Sequence, residues 1–427
     1  MSDKLMPKIA RCNRCGFCQE VCPTYQVTGE EFSVARGRIY LTRLALQGEI
    51  GIEAEPELTR YLNSCLLCKA CVFACPSGVT TDEIVSGMRA QYGQKHKLSL
   101  PKHLVYHHLF PNNRNLRRVT RILRFYQKSG LRWVVKGTRI LSLLGRLGKV
   151  EGLLPSVPAQ TAREQLRQEG ASGRLTAEEA TRQVAYFLGC AVDNFYPEVG
   201  MATMRVLGIN GCEVSVPENV CCGAPHQSLG DLAEARRLAR LNIDAFAGLD
   251  VEAIVTDCAT CGSILREYGT LLAGDPEYAT RAAEFSKKVE DVSEYLVNIG
   301  FKRQPGRELG EVRQTVSYHD PCHLSRGQKV REAPRAILKS IPGLEFREME
   351  EADWCCGGAG SFNVTHYELS MKILDRKMGN FQKTGAQLLA TSCPACTMQL
   401  SLGIRRKGLS ARVVHPVQLL DQAYRAR

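Results

Sequence analysis

The chain has 427 residues, enough for two or three domains, and a net charge of +12. The excess positive charge is local, because residues 84–150 hold 15 Lys or Arg and no acidic residue, and this argues against a nucleic-acid partner. Its 19 cysteines are an odd number and no secretory leader opens the sequence, which argues against a disulfide framework and favours metal ligation by reduced thiols in the cytoplasm. No apolar run approaches the roughly 20 residues that span a bilayer, so we expect a soluble protein or one peripheral on the inner face of the cell membrane.

Two cysteine runs of identical spacing lie near the N-terminus. Residues 12–23 and 65–76 both read C-x2-C-x2-C-x3-C-P. In two-cluster ferredoxins three cysteines of a run hold one [4Fe–4S] cluster and the fourth holds its neighbour. Zinc sites are the alternative, but four-ligand zinc gives no reason for the repeated x3-C-P ending. We therefore predict two crossed ligand sets: Cys12, Cys15, Cys18 and Cys75 for one cluster, and Cys65, Cys68, Cys71 and Cys22 for the other.

Helices are expected to separate the two runs. The 42 residues between Cys22 and Cys65 include two stretches of helical character, residues 36–46 and 56–62. A compact ferredoxin keeps its two runs closer together. We therefore predict an α-helical ferredoxin domain with two [4Fe–4S] clusters over residues 1–98.

A basic helical segment and a linker follow, over residues 99–182. The segment either packs on the protein's own core with solvated arginine faces or docks on a partner or membrane surface. Residues 155–182 lack aromatic residues and are rich in Pro, Ala, Gln, Glu and Gly, which is typical of a linker, with a short helix from about Thr176. Apolar residues at helical spacing predict two amphipathic helices: Leu116, Val119, Leu123 and Tyr126 with Arg117, Arg118, Arg121 and Arg124 between them, then Trp133, Val134, Ile140, Leu141, Leu144 and Leu147.

The rest of the chain is a tandem repeat, with copies at residues 183–305 and 306–427. Both copies contain one cysteine, then a Cys-Cys pair followed by glycine, then C-x2-C. The first copy supplies Cys190, Cys221, Cys222, Cys258 and Cys261. The second supplies Cys322, Cys355, Cys356, Cys393 and Cys396, each 132 to 135 residues further along.

Strand-like apolar runs alternate with helical stretches in both copies, which predicts βαβ units around a parallel sheet. Ligands of such sheets gather beyond the carboxyl ends of the strands, so the ten cysteines should converge on two sites, or on one site between the copies. Adjacent cysteines reach different iron atoms, so the Cys-Cys pairs indicate an unusual cluster in which one sulfur bridges irons. The alternative is that the pairs are buried structural thiols. Cys212 lies outside the pattern, and we interpret it as a core residue.

Four histidines lie near these cysteines or near predicted strand ends. Any of them could hydrogen-bond a cluster sulfur and tune its potential. A single histidine is more often a hydrogen-bonded polar group, so both interpretations stay open. The four are His226, His319, His323 and His415.

The motifs together resemble a known family. The stretch C-x2-CGFC-x3-CPTYQ, RGRIYL at residues 36–41, the ending CPSGV and two C…CCG…C-x2-C modules resemble the iron–sulfur subunit of bacterial glycolate oxidase and related D-lactate dehydrogenase subunits. The chain is also similar to heterodisulfide reductase subunits C and B. The resemblance implies a multidomain fold, an α-helical two-[4Fe–4S] ferredoxin domain followed by tandem α/β CCG repeats, and one or two noncubane [4Fe–4S] clusters on the five-cysteine sets.

The resemblance also implies that substrate oxidation and electron transfer take place on different subunits. The 2-hydroxy acid, glycolate or D-lactate, is oxidised at FAD on a separate FAD-binding oxidase subunit, and the iron–sulfur subunit passes electrons to a quinone or an electron-transfer flavoprotein. In agreement, no G-x-G-x-x-G follows a strand, and no cysteine or serine must be a nucleophile rather than a ligand. The alternative is a heterodisulfide-reductase-like enzyme that reduces a disulfide at a noncubane cluster.

Overall fold

Helices joined by short loops form the N-terminal part of the chain. The computed structural model describes residues 2–51, 56–96, 98–130, 152–169, 174–175, 180–301 and 308–426. The two helices predicted between the cysteine runs are confirmed, and Ile39, Leu58 and Met88 pack in the core that they form with a third helix. The helices of this part are Ser2–Ala10, Phe17–Glu20, Pro23–Thr28, the 3-10 turn Glu31–Ser33, Ala35–Leu46, Pro56–Asn63, Ala70–Phe73 and Thr81–Lys95.

The basic segment contains the first predicted amphipathic helix, Asn113–Lys128. Its buried face differs from the predicted stripe, because Leu116 and Thr120 are buried whereas Val119 is 45% exposed. The second apolar set, residues 133–147, lies outside the described residues. Among the helices that are described, none combines the length and apolar composition that a bilayer crossing requires. Two shorter elements precede the amphipathic helix, Leu100–His103 and the π-helical Leu104–Leu109.

The stretch predicted to be a linker, residues 155–182, contains a helix at Ala162–Gln168. Its first turn is fixed by a capping box. The Thr161 hydroxyl accepts from the backbone N–H of Glu164, and the Glu164 carboxylate accepts from the backbone N–H of Thr161. The helix expected from about Thr176 falls on residues that the structure does not describe.

Both repeats contain the predicted parallel sheet. The strands are β1 Arg174–Leu175, β2 Arg182–Tyr186, β3 Cys212–Ser215, β4 Ala253–Thr256, β5 Val289–Asp291, β6 Gln314–Tyr318, β7 Leu344–Phe346, β8 Leu388–Ala390 and β9 Arg412–Val414. Their order is β1-β3-β2-β4-β5 in the first sheet and β7-β6-β8-β9 in the second. All pairings are parallel except that of β1 with β3. Without β1, the two orders correspond strand for strand.

Helices connect these strands and carry much of the core. In the first repeat they are Cys190–Phe195, Pro197–Ile209, Ala224–Leu229, Leu232–Ala245, Ala259–Arg266, Tyr268–Leu271, Ala279–Lys287 and Val292–Asn298. In the second they are the π-helical His323–Gln328, Glu332–Ser340, Phe362–Thr365, Tyr367–Thr384, Pro394–Lys407 and Pro416–Arg425.

The two repeats share a hydrophobic core. Val417 and Leu420 of the C-terminal helix are buried in one cluster with Met204 of the first repeat. Beside this cluster the Asp421 carboxylate, only 2% exposed, accepts hydrogen bonds of 3.0 and 2.8 Å from the Arg205 guanidinium. The second repeat is therefore packed directly on the first, which fixes the positions of their strand ends.

The ferredoxin helices approach the first repeat closely at Gly230, and this contact can be tested. Gly230 has φ 86°, and a Cβ at this position would lie 2.4 Å from the backbone nitrogen of Ala90. Gly248 is left-handed too, with φ 77°, but a Cβ there would meet no atom within 4 Å among the described residues beyond its chain neighbours. Gly→Ala should cost about 1–2 kcal/mol of backbone strain at either position. Of the two positions, only Gly230 has the additional overlap of a new Cβ with the backbone of Ala90, which should add roughly another 1–3 kcal/mol to the loss of stability.

Thermal unfolding of the Gly230→Ala and Gly248→Ala proteins, followed by circular dichroism, measures this difference. We expect the midpoint to fall further in Gly230→Ala. Equal losses in the two variants would contradict the close approach.

Candidate metal centres

Four cysteines from the two N-terminal runs line one cavity. Cys22 comes from the end of the first run, and Cys65, Cys68 and Cys71 come from the second. Cys22 and Cys68 are buried, and the other two are half-buried. These are the four residues that crossed ligation assigns to a single cluster. Thiols converging from two loops suit a [4Fe–4S] cluster, so the donor set fits the group.

The other crossed set lies where the start of the first run meets the end of the second. Asn13, next to Cys12, donates from Nδ2 to Ser77 Oγ at 3.0 Å, and Ser77 is two residues beyond Cys75. The loops that carry the set therefore adjoin, and its ligand role stays a prediction. Its members are Cys12, Cys15, Cys18 and Cys75, of which Cys15 is exposed and the others are half-buried.

Left-handed residues flank the second cysteine of both runs at equivalent positions. In the first run they are Arg14 with φ 56° and Gly16 with φ 93°, and in the second Leu67 with φ 53° and Lys69 with φ 59°. This conformation costs a residue with a Cβ about 1–2 kcal/mol. Three of the four residues have one, so the same strained loop forms twice, as expected if both loops must wrap the same kind of group.

Two buried arginines lie beside the cavity that Cys22 shares with the second run. Arg38, which is 2% exposed, donates from Nε to the carbonyl of Tyr61 at 2.8 Å, and Arg89 donates to the carbonyls of Leu62 and Cys65 at 2.7 Å each. Neither pairs with a carboxylate among the described residues. Burial, with Arg38 nearby, lowers the pKa of Arg89 to about 10. Buried cations without a counter-anion fit a site that holds an anion, and a cluster on four thiolates is anionic.

The ten cysteines of the repeats lie beyond the carboxyl ends of parallel strands, where ligands of such sheets gather. Strands β2 and β6 lead to the single cysteines, β3 and β7 to the Cys-Cys pairs, and β4 and β8 to the C-x2-C motifs. Cys190 and Cys322 are half-buried, and the other eight are buried. We call Cys190, Cys221, Cys222, Cys258 and Cys261 the repeat-1 site, and Cys322, Cys355, Cys356, Cys393 and Cys396 the repeat-2 site.

Neighbouring thiols contact each other within both sites. The sulfurs of Cys356 and Cys396 are 3.5 Å apart. The Cys221 thiol and burial raise the pKa of Cys190 well above its usual value, so this thiol stays protonated until a metal ion displaces the proton. Further thiol contacts join Cys190 to Cys221, Cys222 to Cys261, Cys258 to Cys261, and Cys322 to Cys355.

The repeat-1 and repeat-2 sites touch each other. The thiols of Cys258 and Cys393 are neighbours, and the Thr260 hydroxyl lies 3.3 Å from the Cys393 sulfur. The backbone N–H of Ala259 donates to the carbonyl of Ser392 at 2.9 Å, which ties the two strand ends together. The cysteines therefore form two sites, one in each repeat, which adjoin where the repeats meet.

A second junction joins the ferredoxin cavity to the repeat-2 site. The thiol of Cys355 lies close to that of Cys68, and its proximity together with burial raises the pKa of Cys68 well above its usual value. Trp354 and Phe362 are buried around it. Sulfur atoms consequently follow one another from the ferredoxin through the repeat-2 site to the repeat-1 site.

The glycine after each Cys-Cys pair is required by the backbone. Gly223 has φ 90° and Gly357 has φ 83°. At Gly357 a Cβ would lie 2.8 Å from the carbonyl oxygen of Ser370. The pairs are thus presented by a left-handed turn pressed against the following helix.

Two of the candidate histidines have structural roles. His226 Nε2 lies 2.7 Å from the carbonyl of Tyr106. His415 caps the C-terminal helix, lies 3.1 Å from the carbonyl of Asp257, and has its pKa lowered to about 4 by burial. Cys212 is buried in β3, as expected of a core residue.

The other two histidines lie at the repeat-2 site. His323 Nδ1 is 3.4 Å from the Cys322 sulfur. His319 is 1% exposed, and neither ring nitrogen has a hydrogen-bond partner among the described residues. A ring nitrogen of His319 and the sulfurs of Cys356 and Cys396 all lie within 4.8 Å of one another. An unpartnered buried imidazole beside thiols fits a site whose bound group completes the hydrogen bonding.

Sequence reasoning missed four buried basic residues beside these sites, Arg38, Arg89, Arg326 and Lys377. The sequence carries a signal for one of them, because Lys377 falls at helical spacing with Ile373 on an apolar face. The burial of the arginines depends on packing between separate elements, which spacing does not reveal.

Three family models match the chain. A model of a 4Fe-4S dicluster domain matches residues 8–79, one of the linker region of the glycolate oxidase iron-sulfur subunit matches residues 97–154, and one of a cysteine-rich CCG domain matches residues 184–266 and 316–401. With the geometry above, these matches define an iron–sulfur protein that joins a dicluster ferredoxin domain to two CCG domains.

Whole-chain relatives identify the family. The chain is 39% identical to the probable glycolate oxidase iron-sulfur subunit of Bacillus subtilis, covering 97% of this chain and 94% of that protein. It is 31% identical to the glycolate oxidase iron-sulfur subunit of Escherichia coli, covering 96% and 93%. Lactate utilization protein A of Shouchella clausii is 34% identical over 56% of this chain and 98% of its own length. The chain belongs to the glycolate oxidase iron–sulfur subunit family.

A solved structure shares the fold. The crystal structure of a hypothetical protein from Helicobacter pylori matches with a TM-score of 0.54 and 10% sequence identity, covering 95% of this chain and 71% of that one. At that identity the match concerns the fold alone.

Serine variants test the crossed ligand sets. Because Cys22 lines the cavity of the second run, Cys22→Ser should remove the same cluster as Cys65→Ser, and Cys18→Ser should remove the other. Iron analysis and electron paramagnetic resonance (EPR) spectra of the reduced proteins measure this, with a loss of about four iron atoms expected in each variant.

Cys212→Ala serves as the control and should keep all its iron, since Cys212 is a core residue of β3. A Cys22→Ser spectrum that matches Cys18→Ser would show that each run holds its own cluster.

Proposed function

We propose that this chain is the electron-transfer subunit of a flavin-dependent 2-hydroxy-acid dehydrogenase that acts on glycolate or D-lactate. It takes electrons from FAD on a partner oxidase subunit and delivers them to a quinone or an electron-transfer flavoprotein. The main support is the series of neighbouring cysteine sulfurs that leads from the ferredoxin cavity to the two repeat sites, with contacts at Cys68–Cys355 and Cys258–Cys393.

Each cysteine set has a role in this proposal. The two crossed sets hold two [4Fe–4S] clusters, and the repeat-1 and repeat-2 sites hold one or two noncubane [4Fe–4S] clusters. Iron–sulfur clusters supply one-electron transfer when bound. The protein's own part is to bring the ligands together, to exclude water from the repeat sites and to balance charge with Arg38 and Arg89.

The names of the relatives support a partner that carries the flavin. Both whole-chain relatives are named as the iron–sulfur subunit of glycolate oxidase, and a protein named as a subunit belongs to an assembly of several chains. On this basis the 2-hydroxy acid is oxidised elsewhere in the complex.

Isolation of the native complex tests the proposal. We expect the tagged chain to co-purify with a flavoprotein, and glycolate or D-lactate added anaerobically to reduce the iron–sulfur centres of the complex, seen as bleaching of their visible absorption. A tagged chain that is recovered alone, and whose centres neither acid reduces, would contradict the proposal. In that case a new EPR signal on adding a disulfide to the reduced protein would favour the disulfide-reducing alternative.

The basic segment supplies a surface for the partner. On the helix Asn113–Lys128, Arg114 and Arg118 are exposed, and so are the apolar side chains of Ile122 and Phe125 at 69% each. The opposite face is held inside the protein, where Leu116 is buried. We propose that the exposed face docks the flavin-bearing subunit.

Charge removal tests this docking surface. Arg114→Gln with Arg118→Gln should weaken binding of the partner subunit about two- to thirtyfold at low salt, from roughly 0.2–1 kcal/mol for each exposed ion pair lost. Added salt should reduce the difference. Surface plasmon resonance with the purified partner measures it.

The matched control removes two exposed positive charges elsewhere, Arg313→Gln with Lys383→Gln, and should bind like the wild type. Equal affinity of both double variants would exclude this face as the docking surface. Loss of binding to anionic vesicles, with partner affinity unchanged, would assign the face to the membrane instead.

A further inference from the structure

The two cysteine sites occupy equivalent positions in the repeats, so their surroundings can be compared residue by residue. The glycine after each Cys-Cys pair packs against the next long helix, Gly223 at Ala235 and Gly357 at Ser370. Counting seven residues on from these contacts gives Asn242 in the first repeat and Lys377 in the second. Residues near the single cysteine or near C-x2-C are matched between the two repeats by their sequence distance from those cysteines.

Lys377 is a buried cation where the first repeat has a neutral amide. It is 0% exposed and donates from Nζ to the carbonyls of Glu351 and Ala352, just before the Cys-Cys pair. Burial lowers the pKa of Lys377 to about 8, which leaves most of it charged at pH 7. In the first repeat Asn242 donates from Nδ2 to the carbonyl of Cys221 at 3.1 Å and carries no charge.

Arg326 is a second cation with a neutral counterpart. It lies four residues after Cys322, as Asn194 lies four residues after Cys190. Its guanidinium is 8% exposed and donates to the carbonyl of Cys68 at 3.4 Å. It therefore lies between the ferredoxin cavity and the repeat-2 site.

His319 adds a hydrogen-bond donor to the repeat-2 site. Three residues before the single cysteine, the second repeat has His319 and the first has Phe187. The imidazole lies beside Cys356 and Cys396 with no other partner for its ring nitrogens among the described residues. A phenyl ring offers sulfur no such donor.

At two further pairs of equivalent positions the acidic residue is in the first repeat and a neutral residue is in the second. Three residues after the single cysteine the first repeat has Asp193 and the second has Ser325, and directly before C-x2-C the first has Asp257 and the second has Ser392. Both aspartates are buried. Like the exchanges at Lys377 and Arg326, these two exchanges make the repeat-2 site the more positive.

Nearby counter-charges do not cancel the difference. In the second repeat Asp320 is bound by Arg335 at 2.8 and 2.7 Å, and Asp353 is bound by Arg326 at 2.8 Å, so Lys377 is left in excess.

In the first repeat Asp193 has a basic neighbour, because the Nε of Arg163 lies 4.0 Å from its carboxylate. Asp257 accepts hydrogen bonds from the neutral hydroxyls of Tyr186 and Thr203 and has no basic partner among the described residues, so a carboxyl group is left in excess.

We propose that His319, Arg326 and Lys377 give the cluster of the repeat-2 site a higher reduction potential than that of the repeat-1 site. This rests on the proposed function. Reduction adds one negative charge, which buried cations and donors to sulfur stabilise. The repeat-2 site also contacts the ferredoxin through Cys355, so the chain collects an electron at the repeat closer to the ferredoxin.

Redox titration of the anaerobically purified full-length protein, followed by EPR, tests this inference. Lys377→Gln and Arg326→Gln keep a donor and remove the charge. Both should lower the midpoint of the same signal, the higher of the two repeat signals, by at least tenfold in its reduction equilibrium, or about 59 mV for one electron. Asp257→Asn should raise the other, lower signal. Lys383→Gln, exposed on the same helix as Lys377, is the control and should shift neither.

Iron analysis distinguishes failure of this inference from failure of the proposed function. A wild-type protein without iron would refute the proposed function, and this inference with it. Full iron with unchanged midpoints in both Lys377→Gln and Arg326→Gln would overturn the inference alone. So would a shift confined to the lower-potential signal, or a wild-type protein that gives a single repeat signal. Loss of iron from both variants would also overturn it, since the cations would then serve assembly rather than potential.

Discussion

The contact between Cys258 and Cys393 at the ends of two parallel sheets is the feature on which the rest of the structure depends. Each repeat delivers five cysteines to the carboxyl ends of its strands because a parallel βαβ sheet ends all its strands on one side. Packing of the repeats through a shared core then brings the two sets together. Without that core, the two sets of cysteines would lie far apart.

Charge is the second constraint. Buried cations are costly unless something anionic offsets them. Arg38 and Arg89 beside the ferredoxin cavity, and Lys377 at the repeat-2 site, make hydrogen bonds to carbonyls and pair with no carboxylate among the described residues. Their arrangement is reasonable for a protein that folds around anionic clusters. It also explains how one repeated fold can produce two sites of different potential, since a few exchanges at equivalent positions change the local field and leave the cysteines in place.

Much of this could be predicted from the sequence. The spacing of the N-terminal runs predicted their crossed sets, and the alternation of strand-like runs with helical stretches predicted two parallel sheets, because both signals are local. The contacts of Cys68 with Cys355 could not be predicted, because they join residues that are distant in sequence. The helix Ala162–Gln168 was missed although Thr161 and Glu164 form a recognisable capping box, since the composition around them is that of a linker. The buried arginines were missed because an arginine in an amphipathic pattern normally faces water.

The central claim is that this polypeptide is organised around sulfur-ligated iron. The most direct measurement is the iron and acid-labile sulfide content of the chain, purified without oxygen and quantified against amino-acid analysis. The account predicts about 12 to 16 iron atoms per chain, four for each of three or four [4Fe–4S] clusters, with a matching amount of sulfide. A colourless protein that holds zinc in place of iron, or fewer than about four iron atoms, would contradict it.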